Sequence, residues 1–203
     1  MNPRRAQAEA LLTAFDWDVV HGRQVCNIAL MLFDQLTALH NLGPNERDIF
    51  EAAALLHDIG WTVSHDKHHK HAYQLIHASS RRLPGFTAAE VELIANIARY
   101  HRKALPALKH EPFAALAEAD REIVRKLAAL LRVADGLDRP HRQEVRQLAC
   151  EVTGAVVTLR LQVRYDPTAH RAGGERKRDL FEQVFRQRLV VEAALEQHLK
   201  LAG

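Results

Sequence analysis

The stretch EAAALLHDIG, residues 51–60, decides how this sequence is read. Phe50, Ala53, Ala54 and His57 fall on one face at 3.6 residues per turn, so an apolar helical face ends in an imidazole. Asp58 stands next to it at the end of a helix spanning 46–58, and Gly60 stops that helix. A carboxylate on an apolar face is costly unless it is paired or coordinates a metal.

Three other helices show the same defect. On the helix from Val19 to about Leu39, which Asn41, Gly43 and Pro44 terminate, His21 shares a stripe with Val25, Ile28 and Leu32. Thr87 and Glu90 form a capping box that opens a helix to about Arg102, and there His101 follows Ile94, Ile97 and Ala98. A long helix runs from Glu111 or Pro112 to about Leu137 with a break near Asp120, and it aims Asp135 inward beside Ala128 and Leu131. Taken singly, each inward histidine reads as a hydrogen-bonded core residue, and Asp135 as a cap or a partner of Arg132 or Arg139. Together they point to one shared cation, which satisfies all of them at once.

The remaining organisation is simple. A polar loop, 64–67, leads to a helix from about His69 to Ser79, which Leu83-Pro84-Gly85 breaks. The period then changes: Val157, Leu159, Leu161, Val163 and Tyr165 alternate with polar residues, as do Leu148, Cys150 and Val152 before Gly154. This predicts a hairpin. A loop over 166–174, a short helix over 177–186 and a strand at Leu189–Val191 follow. The expected fold is therefore mainly α: a helical bundle over residues 1–143, then a small antiparallel α+β appendage over 144–203.

Composition is that of an ordinary globular chain: 203 residues, 47% hydrophobic, 26% charged, net charge +3. No apolar run is long enough to span a bilayer, and the N-terminal residues lack a secretory pattern. Cys26 and Cys150 lie far apart in apolar contexts and read as buried small hydrophobes, so a reducing cytoplasm is expected. The 13 histidines are the unusual feature, and their positions carry the argument.

With His21 upstream, LLHDIG (55–60) and ADGLDR (134–139) resemble the H…HD…D pattern of the HD phosphohydrolase superfamily. More closely, HHKHAYQLI (68–76), LPGFT (83–87), IARYHRKALP (97–106) and the tail DLFEQVF…LVVE (179–192) resemble the C-terminal HD domain of the exopolyphosphatase/guanosine pentaphosphatase (Ppx/GppA) family, over roughly residues 16–195. The resemblance implies an HD-domain bundle with His21, His57, Asp58 and Asp135 as primary ligands. It implies a second ion at His71 and His101, with Asp58 bridging. His68 and His69 read equally as further ligands or as exposed loop histidines. Full-length members carry an N-terminal pair of actin-like ATPase-fold domains, to which polyphosphate hydrolysis is attributed, and this sequence has no such part.

The expected activity is metal-dependent hydrolysis of a phosphoester or phosphoanhydride, of a nucleotide or polyphosphate, with Asp58 and His57 as the catalytic pair and Asp58 orienting or deprotonating the attacking water. The mixed ligand set suits one or two divalent transition ions (manganese, iron, cobalt or zinc), magnesium less well. Arg99 and Lys103, four residues apart on one helix face, with Arg102, Lys67 and Lys70, would ring the mouth of the site and bind phosphate. The alternative is a non-catalytic nucleotide- or polyphosphate-binding or homodimerisation module. A nucleic-acid face through Arg160 and Arg164 is weaker, because no aromatic platform accompanies it, and no membrane partner is expected.

Overall fold

Cap chemistry sets the starts of several helices. In the computed structural model, which describes residues 2–196, Asn2 accepts from the Arg4 amide to open α1 (Pro3–Phe15). Asp18 does the same for α2 (Val19–Gln35), accepting from His21 N at 3.1 Å. A single turn, α3 (Thr37–His40), ends at Asn41 in the left-handed region, and Pro44 then starts α4 (Pro44–Leu56). After the tight 3-10 turn Ile59–Thr62 comes α5 (His68–Ala78). The Thr87–Glu90 capping box opens α6 (Ala88–Arg99). The expected long helix divides into α7 (Glu111–Ala114) and α8 (Glu118–Leu137).

These helices pack as a bundle in which α2, α6 and α8 each contact α4, so that the elements bearing the inward histidines meet. Gly60 lets the turn after α4 reach α5. A Cβ there would lie 1.9 Å from the His68 carbonyl oxygen and 2.5 Å from Ala72 N. Only glycine permits that approach.

The C-terminal part is a three-stranded sheet in the order β1 (Val145–Thr153), β2 (Val156–Val163), β3 (Arg188–Leu195). The expected hairpin is present, with Gly154 at φ +57° in its turn. The appendage is not the wholly antiparallel one expected: β3 pairs parallel to β2, a pairing that needs a crossover. The segment 166–174, read as a loop, supplies part of that crossover as a helix, α9 (Pro167–Arg176), and α10 (Asp179–Phe185) completes it. Asp166 caps α9 and Pro167 begins it. Its glycines disguise it in the sequence, yet they serve packing: a Cβ on Gly173 would lie 2.0 Å from Gly136 O in α8.

The mainly α fold with a small C-terminal α+β appendage is as expected; the end of that appendage, 197–203, lies outside the described residues. The appendage shares one continuous core with the bundle, running from Ala8 to Val191. Gln24 and Gln35 of α2 donate to Val145 O and Leu148 O of β1 at 2.8 and 2.9 Å. Buried His170 joins Leu137 O to Glu144. No helix among the described residues is long and apolar enough to cross a membrane. Cys26 is buried and Cys150 half-buried. Arg160 of β2 pairs with Glu151 and Glu192.

Candidate metal centre

Four helices and one turn converge on a small polar cluster. His21, in the first turn of α2, and His57, at the end of α4, are fully buried, and Asp135, near the end of α8, is almost so. Their inward atoms, His21 Nε2, His57 Nε2 and Asp135 Oδ1, form one set within 4.8 Å of one another. Asp58, His68 and His101 form a second set by the same measure. Asp58 belongs to both. Its Oδ2 lies 3.9 Å from His21 Nε2 and 3.7 Å from His57 Nε2, while its Oδ1 lies 3.3 Å from both His68 Nε2 and His101 Nε2.

The outer nitrogens of these histidines are all occupied. His57 Nδ1 donates to Ala54 O and His101 Nδ1 to Ala98 O, each at 2.8 Å. His68 Nδ1 meets His65 O at 3.2 Å, and His21 Nδ1 meets the carboxylate of Asp138 at 2.8 Å. Each bond fixes the tautomer that leaves Nε2 as the inward lone pair. Meanwhile His21 Nε2, His57 Nε2 and Asp58 Oδ1 are buried without a hydrogen-bond partner among the described residues. Unsatisfied buried polar atoms that converge in this way fit a cation. Two atoms bonded to one ion at about 2.1 Å lie no more than about 4.2 Å apart, and the separations of 3.3–4.0 Å within the cluster meet that limit.

The protonation pattern agrees. Burial pushes His57 and His101 below the ordinary histidine range. Burial opposes the charge on Asp58 and Asp135, yet the surrounding imidazoles, and for Asp135 the Lys177 ammonium, hold both below the usual carboxylate range. His21 is the exception: burial lowers it, but Asp135, Asp138 and Asp58 outweigh that and raise it to about 10. A metal ion bound between these carboxylates would take the place of the His21 proton.

Sequence reasoning and structure differ at identifiable residues. His71 is not in the cluster; it faces outward on α5 and its Nδ1 lies 3.3 Å from Gln74 Oε1. His68, one turn earlier, takes that place. A cleft of about 180 Å³ opens over the cluster, and of the five expected phosphate binders only Arg102 and Lys103 line it. α6 ends at Arg99, so the shared helix face expected for Arg99 and Lys103 does not exist. Arg99 instead packs over Tyr73 and Tyr100 and lines a separate cavity with Lys70, while Lys67 is exposed beside Asp66. Arg139, His141 and Lys177 complete the cleft. The Lys177 ammonium donates to Asp135 Oδ2 at 2.7 Å and to His101 O at 3.1 Å. The sequence offered no signal for Lys177, expected at the start of the short helix over 177–186 but found capping the end of α9. Asp138 did leave one, standing three residues after Asp135 at the end of the same helix. Arg132 pairs with Asp179, not with Asp135.

The family model for domain III of the Ppx/GppA phosphatases matches residues 4–172, and the chain belongs to that family. It is similar to the guanosine-5'-triphosphate,3'-diphosphate pyrophosphatase of Photobacterium profundum, 34% identical over 132 residues, covering 64% of this chain and 25% of the relative. It is also similar to the protein of the same name from Vibrio vulnificus, 32% identical over 162 residues, covering 77% and 30%. The chain thus spans less than a third of the length of these relatives.

Proposed function

We propose that this chain is a metal-dependent phosphohydrolase of the HD superfamily, acting on a phosphoester or phosphoanhydride of a nucleotide or polyphosphate in the cytoplasm. The observation that carries this reading is Asp58, whose two carboxylate oxygens face two separate groups of histidines. His21, His57, Asp58 Oδ2 and Asp135 Oδ1 would hold one divalent ion; Asp58 Oδ1, His68 and His101 would hold another. The histidine-rich set favours manganese, iron, cobalt or zinc over magnesium. Bound there, such ions would polarise a phosphoryl oxygen and make a water molecule more acidic.

The chain's own groups would do the rest. Arg102, Lys103, Arg139 and Lys177, which line the cleft, would present cationic donors to phosphate oxygens. Asp58, at the junction of the two sets, would orient the attacking water, whose proton would pass to solvent as the new P–O bond forms and the P–O bond to the leaving group breaks. His57 has both nitrogens committed, one to Ala54 O and one inward, which suits a ligand better than a proton carrier. The names of the relatives support a phosphoanhydride substrate, although the chain covers only part of each.

The test is a phosphate-release screen on protein purified without chelator, repeated after chelation and after readdition of metal. Hydrolysis that is lost and then restored supports the proposal. A protein that binds metal and nucleotide but releases no phosphate from any substrate would mark a binding module.

A further inference from the structure

Both tryptophans of the chain stand in one place. Trp17, in the turn between α1 and α2, and Trp61, in the turn after α4, line a second cleft of about 470 Å³. This cleft is continuous with the one over the metal cluster, since Trp61, Arg102, Arg139 and His141 line both. Its volume lies within the range of about 300–1,000 Å³ typical of small-molecule sites.

The two indoles lie nearly parallel, 8° apart, with centroids separated by 5.2 Å. Rings in contact at about 3.5 Å must then be displaced sideways by about 4 Å, so each keeps part of its face uncovered. Trp17 is 38% exposed, so part of its indole is open to solvent. The stack continues inward: Trp61 lies over His68 at 4.4 Å and 20°, and His68 over His101 at 5.4 Å and 18°. An aromatic column therefore leads from the open cleft to the second ligand set, with the Arg102 guanidinium 3.0 Å from His68 Nε2 beside it.

Resting on the phosphohydrolase reading above, we infer that the Trp17–Trp61 face is a nucleobase subsite that selects nucleotides over base-free phosphates and polyphosphate. A planar base stacks on an indole whatever its edge pattern, so the surface reads the presence of a base. Asp18, the one carboxylate lining this cleft among the described residues, is already engaged by His141 Nδ1 and by the His21 amide, which leaves it little capacity to read base edges. Selectivity among bases should follow ring area, with purines ahead of pyrimidines. A base-free polyphosphate would contact the cationic side of the cleft and leave the indoles bare.

The test is calorimetric binding of AMP, GMP and ribose 5-phosphate to protein as purified without chelator, with tryptophan emission recorded in parallel. Because both indoles are in the cleft, their emission reports stacking without any turnover. The inference predicts that the nucleotides bind about fivefold or more tightly than ribose 5-phosphate and quench emission, while ribose 5-phosphate does not. The affinity ratio should collapse toward one in Trp17→Ala and survive in Trp17→Phe. Equal affinity for all three ligands, or a ratio unaltered in a folded Trp17→Ala, overturns the base subsite and leaves the phosphohydrolase reading standing. If metal-loaded protein binds none of the three, both readings fall.

Discussion

Asp138 holds Nδ1 of His21 at 2.8 Å, and both side chains are shut away from solvent. The carboxylate also accepts from Gln143 N at 3.1 Å, so it is fixed from two sides. It orients the imidazole and makes Nε2 more basic toward a cation. Asp138→Asn should therefore lower metal affinity by about 10–100-fold, as is usual for such outer partners, with helical content preserved. Competition with a chromophoric chelator measures this, and an unchanged affinity would mean that Asp138 serves only packing.

Metal removal should cost stability as well as activity. Asp58 and Asp135 lie within one small cluster, and a ligand present at 100 times its dissociation constant stabilises the folded state by about 2.7 kcal/mol. For a chain of this size that corresponds to roughly 5–10 °C in Tm. Thermal melts with and without chelator test it, and superimposable curves would contradict the buried placement of a bound ion.

Gly60 connects the helix-end motif to the second ligand set. Gly60→Ala places a methyl against the His68 carbonyl, a backbone atom that cannot swing aside. The turn or α5 must shift, so His68 should lose its position before the His21–His57–Asp135 set does. The expected result is a folded but less stable protein holding fewer ions per chain, read by metal analysis and melting. Full retention of both properties would show that this approach is looser than the geometry implies.

The cationic side of the cleft can be tested against a residue that missed it. Replacing Arg102 and Lys103 together with Gln should lower kcat/KM on a di- or triphosphate by at least about tenfold, or 1.4 kcal/mol of transition-state binding, with a far smaller change on a small aryl phosphate. Arg99→Gln lies outside the cleft and should stay within about twofold of wild type on both. Equal losses on both substrates in the double variant would assign Arg102 and Lys103 to the fold or the metal.

A pH effect separate from the metal is expected at His40. Burial holds its pKa below the ordinary histidine value, and in the neutral ring Nε2–H donates to Phe33 O while Nδ1 accepts from Leu42 N. Because the unfolded chain takes up the proton first, this stability is fully present above about pH 6.5 and is lost as the pH falls below it toward the depressed folded value. His40→Gln should flatten that acid limb relative to wild type in denaturant titrations at pH 5–7. Parallel curves for the two proteins would show that His40 is not its source.

What could be read in the sequence followed from local chemistry. The Thr87–Glu90 box, Pro44 and the alternation over Val157–Tyr165 act within a few residues, and each element formed where those residues stand. His21, His57, His101 and Asp135 were legible because an apolar helical stripe fixes which way they point. The misreadings came from long-range packing. α9 contains Gly173 and Gly174, poor helix formers chosen for contact with α8, so it looked like a loop. His68 and His71 are three residues apart, about 60° on a helical wheel, and only the close approach at Gly60 decides which one faces Asp58. Lys177 and Trp17 reach the site from opposite ends of the chain, a juxtaposition no local pattern records.

If Asp58 joins two ion sites, the number of ions bound per chain reveals it. Protein purified without chelator and titrated with manganese or zinc should bind two ions per chain; His101→Ala should bind about one, and Asp58→Ala close to none. A folded wild-type protein that takes up no ion under titration would contradict the account, and so would an Asp58→Ala variant that still binds two.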